Sequence, residues 1–143
     1  MKAIVGILCL VVSSCALTGC MSESTETKAS DNSPMFNKLH RESTMGALNA
    51  IRTAQISYMS QTGSYGTFSQ LMNRGLLDSR FSGERPVVQG YAFTITVDAG
   101  GGYAVTADPK EGEGRHFFMD QDNTIRFNDQ RTASSSDQVS AGV

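Results

Sequence analysis

Histidine and aspartate side chains give this chain one loose arrangement suited to acid–base or metal chemistry. His116 lies in a segment of alternating residues, and Asp108 and Asp120 lie in the segments beside it. A general base or a bound metal needs two or three side chains that converge. These residues therefore predict one candidate site for a small ligand or a hydrolytic reaction. His40, the other histidine, falls near an apolar helical stripe and is interpreted as structural.

Asp120–Thr124 brings carboxylate and amide side chains together in the manner of a calcium loop. The EF-hand pattern requires glycine at its sixth position and glutamate at its twelfth, whereas Ile125 and Arg131 stand there in this chain. A turn rich in Asp and Asn explains the segment better, because these residues tolerate tight backbone geometry. No serine is set in a nucleophile elbow. The sequence therefore predicts a chain that is not an enzyme and holds no cofactor or metal.

The three cysteines all lie near the N-terminus of the chain. Lys2 precedes an apolar run, Ala3–Val12, which suits the core of a signal peptide but is too short to span a bilayer. The run leads to Leu17–Cys20, with the sequence Leu-Thr-Gly-Cys, which resembles the lipobox of bacterial lipoproteins. In that family the cysteine is lipidated and becomes the first mature residue. The resemblance therefore implies a signal peptide over residues 1–19 and a lipid on Cys20.

This resemblance also implies where the chain resides. A weaker lipobox ends at Cys15, but its apolar run would be very short. Met21 follows the candidate lipidated cysteine in place of aspartate, which implies the outer membrane of a Gram-negative cell. Because multiple acyl chains give stable anchoring, we expect a membrane-attached protein that faces the periplasm or the surface.

Composition divides the rest of the chain into three parts. Residues 20–32 are rich in Ser, Thr and Glu without apolar periodicity, which predicts a flexible tether. Residues 33–128 carry the periodic segments and predict one domain with a modest core. Residues 129–143 are polar and predict a disordered tail. The net charge of -2 gives no basic footprint for nucleic acid.

A long helix is predicted between Ser33 and Gly63. Ser33 precedes Pro34 as an N-cap precedes proline at the first helical position, and Gly63 suits the residue after the last turn. At about 100° per residue, one stripe is apolar. The residues of that stripe are Phe36, Ala47, Ile51, Ala54 and Tyr58. We expect this stripe to pack against a sheet.

Met45, Ile56 and Met59 lie roughly opposite the main stripe of this helix. A simple surface helix keeps that side polar. One explanation is a long loop that folds over the second side. The other is a face that binds another subunit or partner protein, because exposed apolar patches often mark such surfaces.

Alternation of apolar and polar residues, typical of half-buried strands, follows the helix. It occurs in the segments Tyr91–Val97, Tyr103–Ala107, Arg115–Asp120 and Thr124–Asn128. The glycine-rich Ala99–Gly102 is interpreted as a hairpin turn, because a strand and not a helix follows it. The predicted fold is α+β, with the long N-terminal helix packed on a roughly four-stranded antiparallel sheet in two layers.

Several strings, in this order, resemble bacterial type IV pilin-like proteins. The strings of the helix are Glu42–Thr44, Leu48, Ile51–Gln55 and Tyr58. The string after the helix is Gly63–Phe68 with Leu71. The strings of the sheet are Gly90–Thr94, Tyr103–Ala107, and Phe117–Gln121 with Ile125–Arg126. The resemblance covers residues 40–128 and implies a pilin-like globular domain.

The resemblance implies action through contact with another protein. Pilins carry a peptidase site and an apolar helix that inserts in the inner membrane, and no such pattern precedes His40. We therefore expect a lipid-anchored, pilin-like protein that contacts a pilus, a secretion system or another surface assembly. The alternatives are a ligand-binding or hydrolytic lipoprotein with a site near His116, and an envelope scaffold without a specific partner.

Overall fold

The computed structural model describes residues 34–110 and 114–140, with side chains described from Lys38 onward. The predicted signal peptide, Cys20 and the tether lie outside the described residues. The elements in chain order are helix α1 (Pro34–Thr62), helix α2 (Phe68–Asn73), a 3₁₀ turn (Ser79–Phe81), and strands β1 (Val87–Val88), β2 (Tyr91–Val97), β3 (Tyr103–Pro109), β4 (His116–Asp120), β5 (Arg126–Asn128) and β6 (Gln138–Val139).

Helix α1 ends where the sequence predicts, at Gly63. This glycine has a φ of 73°, and its N–H donates a hydrogen bond of 2.8 Å to the carbonyl oxygen of Met59. Glycine adopts this left-handed conformation without a clash from a Cβ atom, which explains its position after the last turn. The predicted N-cap, Ser33, lies outside the described residues.

A compact segment, residues 63–86, joins α1 to the sheet, and we call it the connection. Thr67 begins α2 with a reciprocal cap, in which its side chain accepts from the N–H of Gln70 and the Gln70 side chain accepts from the N–H of Thr67. The ring of Phe68 stacks on that of Phe81 at 5.9 Å, and Phe81 meets the ring of Phe93 edge-on at 6.0 Å. The connection therefore contributes its aromatic side chains to the core.

The sheet is an antiparallel meander of six strands, and their spatial order follows their order in the chain. Strands β2 and β3 pair along their whole length, and β3 then pairs with β4 through Ala107 and Phe117. Alternate residues of β3 and β4 are buried, among them Val105, Phe117 and Met119. One face of the sheet therefore meets α1, and the other faces away from it.

The prediction of a roughly four-stranded sheet is wrong, because one further strand extends it at each edge. Strands β1 and β6 are 2 residues long, too short for alternation to reveal them. Strand β6 lies within residues 129–143, for which composition predicts a disordered tail. In that stretch Ala133 is only 3% exposed. Residues 129–140 therefore form part of the folded domain.

One hydrophobic core lies between α1 and the sheet. Ile51 and Tyr58 of α1 belong to the same buried cluster as Phe93 and Val105 of the sheet, as their stripe predicts. The largest fully buried apolar side chains are Tyr103, Phe81, Phe93, Phe117, Leu48, Ile51, Leu71 and Met119. Burial of a side chain of this size stabilises the fold by about 1.5–3 kcal/mol.

Gln55 is the polar residue that fixes α1 to the connection. Its side chain is fully buried, and its Nε2 donates to the carbonyl oxygen of Gly66 at 2.7 Å while its Oε1 accepts from the N–H of Gly66 at 2.9 Å. A Cβ atom at position 66 would lie 3.1 Å from the ring of Tyr58. The backbone of residue 66 can therefore approach α1 closely because Gly66 has no side chain and because the amide of Gln55 pairs with its N–H and carbonyl.

We expect Gln55→Leu to lower the free energy of unfolding by at least about 2 kcal/mol, because the N–H and carbonyl of Gly66 would stay buried without partners. Urea unfolding followed by circular dichroism measures the change. Gln61→Leu is the matched control, since Gln61 is exposed and accepts only a 3.4 Å hydrogen bond from Arg74. Equal stability of the two variants would contradict this role of Gln55.

Candidate docking cleft

The residues predicted for a partner-binding face differ in their exposure. Ile56 is 54% exposed and Met59 is 36% exposed, and no loop of the described residues covers either of them. Met45 is half-buried and packs against the core. The covering loop that could have explained all three residues is therefore not found at Ile56 and Met59, and Met45 forms a wall of a cleft.

This cleft opens between the N-terminal half of α1 and strands β4 to β6, with a volume of about 740 Å³. Four apolar residues line it: Met45, Phe117, Phe127 and Val139. Val139 pairs with Arg126, so its side chain lies on the face of the sheet away from α1 and its main chain borders the cleft. Four charged side chains also line it: Lys38, Arg41, Glu42 and Arg115. The lining thus combines an apolar surface with an excess of positive charge. We call this feature the docking cleft.

Arg115 is the cation with the most complete set of contacts in the docking cleft. Its Nε donates to Oδ1 of Asp129 at 2.6 Å, and its Nη2 donates to Oδ2 at 3.1 Å. The guanidinium also lies 3.9 Å from the centroid of the Phe127 ring. A two-point contact with a carboxylate and stacking on an aromatic face both restrict the side chain. Arg115 is therefore preorganised.

The two cations of α1 that line the docking cleft are less constrained. Nζ of Lys38 lies 3.9 Å from Oε1 of Glu42, and both side chains are exposed, so this pair contributes little to stability. Arg41 has no ion pair within the part of the chain that the structure describes. A carboxylate from another molecule can therefore reach Arg41 without displacing an existing partner.

The pKa of Tyr91, at the end of the sheet, depends on the charges of these cations. Burial raises the pKa of its phenol, and the positive charges of Arg115 and Arg41 oppose that rise. Its ring lies 5.9 Å from that of Phe117, which lines the docking cleft. Both guanidinium groups therefore act on the same region, where the carboxylate of Asp129 opposes them.

Strand β6 forms the open edge beside the docking cleft. Within the described residues it pairs with β5 alone, through Val139 with Arg126 and Gln138 with Phe127. The N–H of Ser140 donates to the carbonyl oxygen of Ile125 at 2.8 Å. Because hydrogen-bonded and non-hydrogen-bonded positions alternate in antiparallel pairs, the N–H and carbonyl of Val139 point away from β5. These two groups are the hydrogen-bond donor and acceptor that the open edge presents to another chain.

Asp137 holds the segment that leads into β6. Its carboxylate accepts hydrogen bonds from Asn128 at 3.0 Å, from the N–H of Ser134 at 2.8 Å and from Arg131 at 2.8 Å. The hydrogen bonds from Asn128 and Ser134, together with that from Arg131, hold the pKa of Asp137 well below its usual value. The charged form therefore supports the position of β6.

His116 and Asp108, two residues of the alternative site, do come together. Nδ1 of His116 lies 2.6 Å from Oδ1 of Asp108, and Nη2 of Arg85 lies 3.8 Å from Oδ2. The histidine side chain is 20% exposed and that of the aspartate 13%. Since the neighbouring Phe117 faces the core, His116 lies on the face of the sheet away from α1.

Asp120 does not join this pair. It ends β4, at a separation from His116 of about 13 Å for a strand that rises about 3.3 Å per residue. Its carboxylate accepts from the N–H of Asp122 at 3.0 Å, and Asn123 has a φ of 58°, as in a tight turn. Among the described residues no three His, Cys, Asp or Glu side chains are grouped to hold a metal. The three predicted residues therefore do not form one site.

Sequence reasoning missed the docking cleft itself. Lys38, Arg41 and Met45 recur at three- and four-residue spacing, so a shared helical face could have been identified on α1. The opposite wall contains Arg115, which directly precedes β4, and Phe127, which lies in β5. No local sequence pattern shows that these two residues lie opposite α1, because their position depends on how the strands pair. Strand β6, which completes the cleft, was not predicted either.

Comparisons with known proteins give no match. No protein-family model matches the chain, and neither a curated protein nor a solved structure does so. Within residues 34–110 and 114–140, no helix combines the length and the apolar character needed to cross a bilayer. Function is therefore inferred from the geometry of α1 and the docking cleft.

We expect β6 to loosen as the pH falls. Because the folded-state pKa of Asp137 is depressed, its stabilising effect is complete above the ordinary value of 3.8 and is lost progressively below it. The protection factor of the Ser140 amide, measured by hydrogen exchange, should fall in acid. Asp137→Asn should lower it already at neutral pH.

Asp122→Asn is the control for this experiment, because Asp122 lies in the exposed turn between β4 and β5. It should leave the protection of Ser140 unchanged. If Asp137→Asn and the control gave the same protection at neutral pH, Asp137 would not be what holds β6.

Proposed function

We propose that this chain is a non-catalytic, lipid-anchored protein of the bacterial cell envelope that acts by binding another protein. The observation that carries the proposal is the exposure of Ile56 and Met59 on the side of α1 that is not covered by the sheet. Large apolar side chains left adjacent on a helix face are typical of surfaces that bind partners. The docking cleft lies on the same side of the helix.

The exposed apolar residues and the docking cleft form one continuous surface on α1. At about 100° per residue, Lys38, Met45 and Ile56 fall within a sector of about 20°. Arg52 and Met59 fall on the same side of the helix axis. Methionine and arginine are both enriched at protein interfaces. A partner that contacts Ile56 can therefore extend along α1 toward the docking cleft.

The order of elements supports a pilin-like version of this proposal. A long helix, a compact connection and an antiparallel sheet follow one another in that order. The strings that resemble pilin-like proteins fall on α1, on the connection, on strands β2, β3 and β4, and at the start of β5. The proposed partner is accordingly a component of a pilus, a secretion system or another surface assembly. The proposed attachment is a lipid on Cys20 at the outer membrane.

A photo-crosslinking amino acid at position 56 tests the proposed surface. In bacteria that express the full chain, we expect position 56 to yield a discrete adduct of higher mass, and we expect Ile56→Glu to suppress an adduct formed from position 59. Position 73 is the control, because Asn73 is exposed on α2. Adducts of the same pattern from positions 56 and 73, or none from position 56, would contradict a specific partner on α1.

Labelling with a palmitate analogue tests the proposed anchor. We expect the chain to incorporate the label, and Cys20→Ser to abolish incorporation, because the thiol is the group that accepts the lipid. Cys15→Ser is the matched control for the weaker lipobox and should retain the label. Mass spectrometry of the mature N-terminus gives the same answer independently. Loss of the label in Cys15→Ser alone would show that Cys15, and not Cys20, carries the lipid.

A further inference from the structure

The open edge of β6 offers main-chain hydrogen bonds to another chain. The N–H and carbonyl of Val139 point away from β5, and the Val139 side chain is 54% exposed. An extended segment can add to such an edge as a further antiparallel or parallel strand. Alternate side chains of an added strand would then face the same side of the sheet as α1.

The charges beside this edge favour an acidic segment. Lys38, Arg41 and Arg115 line the docking cleft, with the carboxylate of Glu42 beside Lys38 and that of Asp129 beside Arg115, which leaves a net positive charge. Arg41 has no ion pair among the described residues, and Arg115 is held by Asp129 and by the ring of Phe127. A carboxylate near α1 would therefore gain attraction from Arg41, whose charge no ion pair among the described residues offsets.

The mixture of side chains favours a protein segment over a small molecule. Small-molecule pockets are lined predominantly by apolar and aromatic residues, with a few polar groups. The docking cleft has as many charged lining residues as apolar ones. Arginine, phenylalanine and methionine side chains beside an open strand edge are typical of protein interfaces.

We infer that the docking cleft receives an extended segment of a partner protein, which adds as a strand to β6 and directs apolar side chains and one acidic side chain toward α1. The inference rests on the proposed function and specifies the chemistry of the partner. Val139 supplies the main-chain contact, Phe117 and Phe127 supply the apolar surface, and Arg41 binds the carboxylate.

Fluorescence anisotropy with labelled hexapeptides tests this inference on the purified full chain. The probe has the sequence Thr-Phe-Thr-Glu-Thr-Phe, which places Phe, Glu and Phe on one face of a strand. A second peptide carries Lys in place of Glu. We expect the Glu peptide to bind about tenfold more tightly than the Lys peptide, and this preference to shrink as salt is added.

Two variants test separately how the charge of Arg41 and the open edge of β6 contribute to peptide affinity. Arg41→Glu should abolish or invert the preference for the Glu peptide. Val139→Pro should weaken both peptides about tenfold, because proline removes the outward N–H but no hydrogen bond to β5. The protection factor of the Ser140 amide verifies that β6 remains in place in the second variant.

Each variant has a matched control. Arg74→Glu reverses an exposed arginine on the connection. Val87→Pro changes the opposite edge, where Phe93 donates to the carbonyl oxygen of Pro86, so that the N–H of Val87 also points outward. Both controls should leave the two affinities within twofold of those of the unchanged chain.

Equal affinity for the two peptides, or no binding of either, would overturn the inference. An unchanged affinity in Val139→Pro, or an equal loss in Val87→Pro, would also overturn it. These outcomes are distinct from a failure of the proposed function, because crosslinking from position 56 does not depend on the strand edge. If position 56 gave an adduct but neither peptide bound, a partner on α1 would still be supported, whereas binding of its segment to β6 would be excluded.

Discussion

Burial of one stripe of α1 against one face of the sheet is the contact on which the rest of the structure depends. Ile51 and Tyr58 pack in the same cluster as Phe93 and Val105, and this burial fixes the rotation of the helix about its axis. Once that rotation is set, Ile56 has to face outward. The fold therefore exposes apolar residues on α1 as a direct result of how it buries others.

Much of this arrangement can be predicted from the sequence, because it depends on periodicity and on local backbone chemistry. The spacing around Ile51 gives the buried side of α1, and Gly63 gives its end. The alternation in β2 and β3 gives the central hairpin. These features need only a few consecutive residues to be recognised.

The features that periodicity cannot supply are short or involve distant parts of the chain. Two residues in β1 and two in β6 are too few to show a period. Strand β6 depends on the carboxylate of Asp137, which gathers hydrogen bonds from several residues of a polar segment. A polar segment whose composition predicts disorder is thus ordered by hydrogen bonds to one carboxylate, from two side chains and one main-chain N–H. The docking cleft follows from that strand, so it could not be predicted before the strand was known.

The meander order of the sheet has a consequence for how the domain assembles. Every strand pairs with its neighbour in the chain, so each pairing closes only a short loop. The non-local event is the docking of α1 on β2 and β3, across the whole connection. Chains with mostly local pairings reach the native state faster than those with distant ones. Hairpins can therefore form early and independently, and the helix completes the domain when it closes over them.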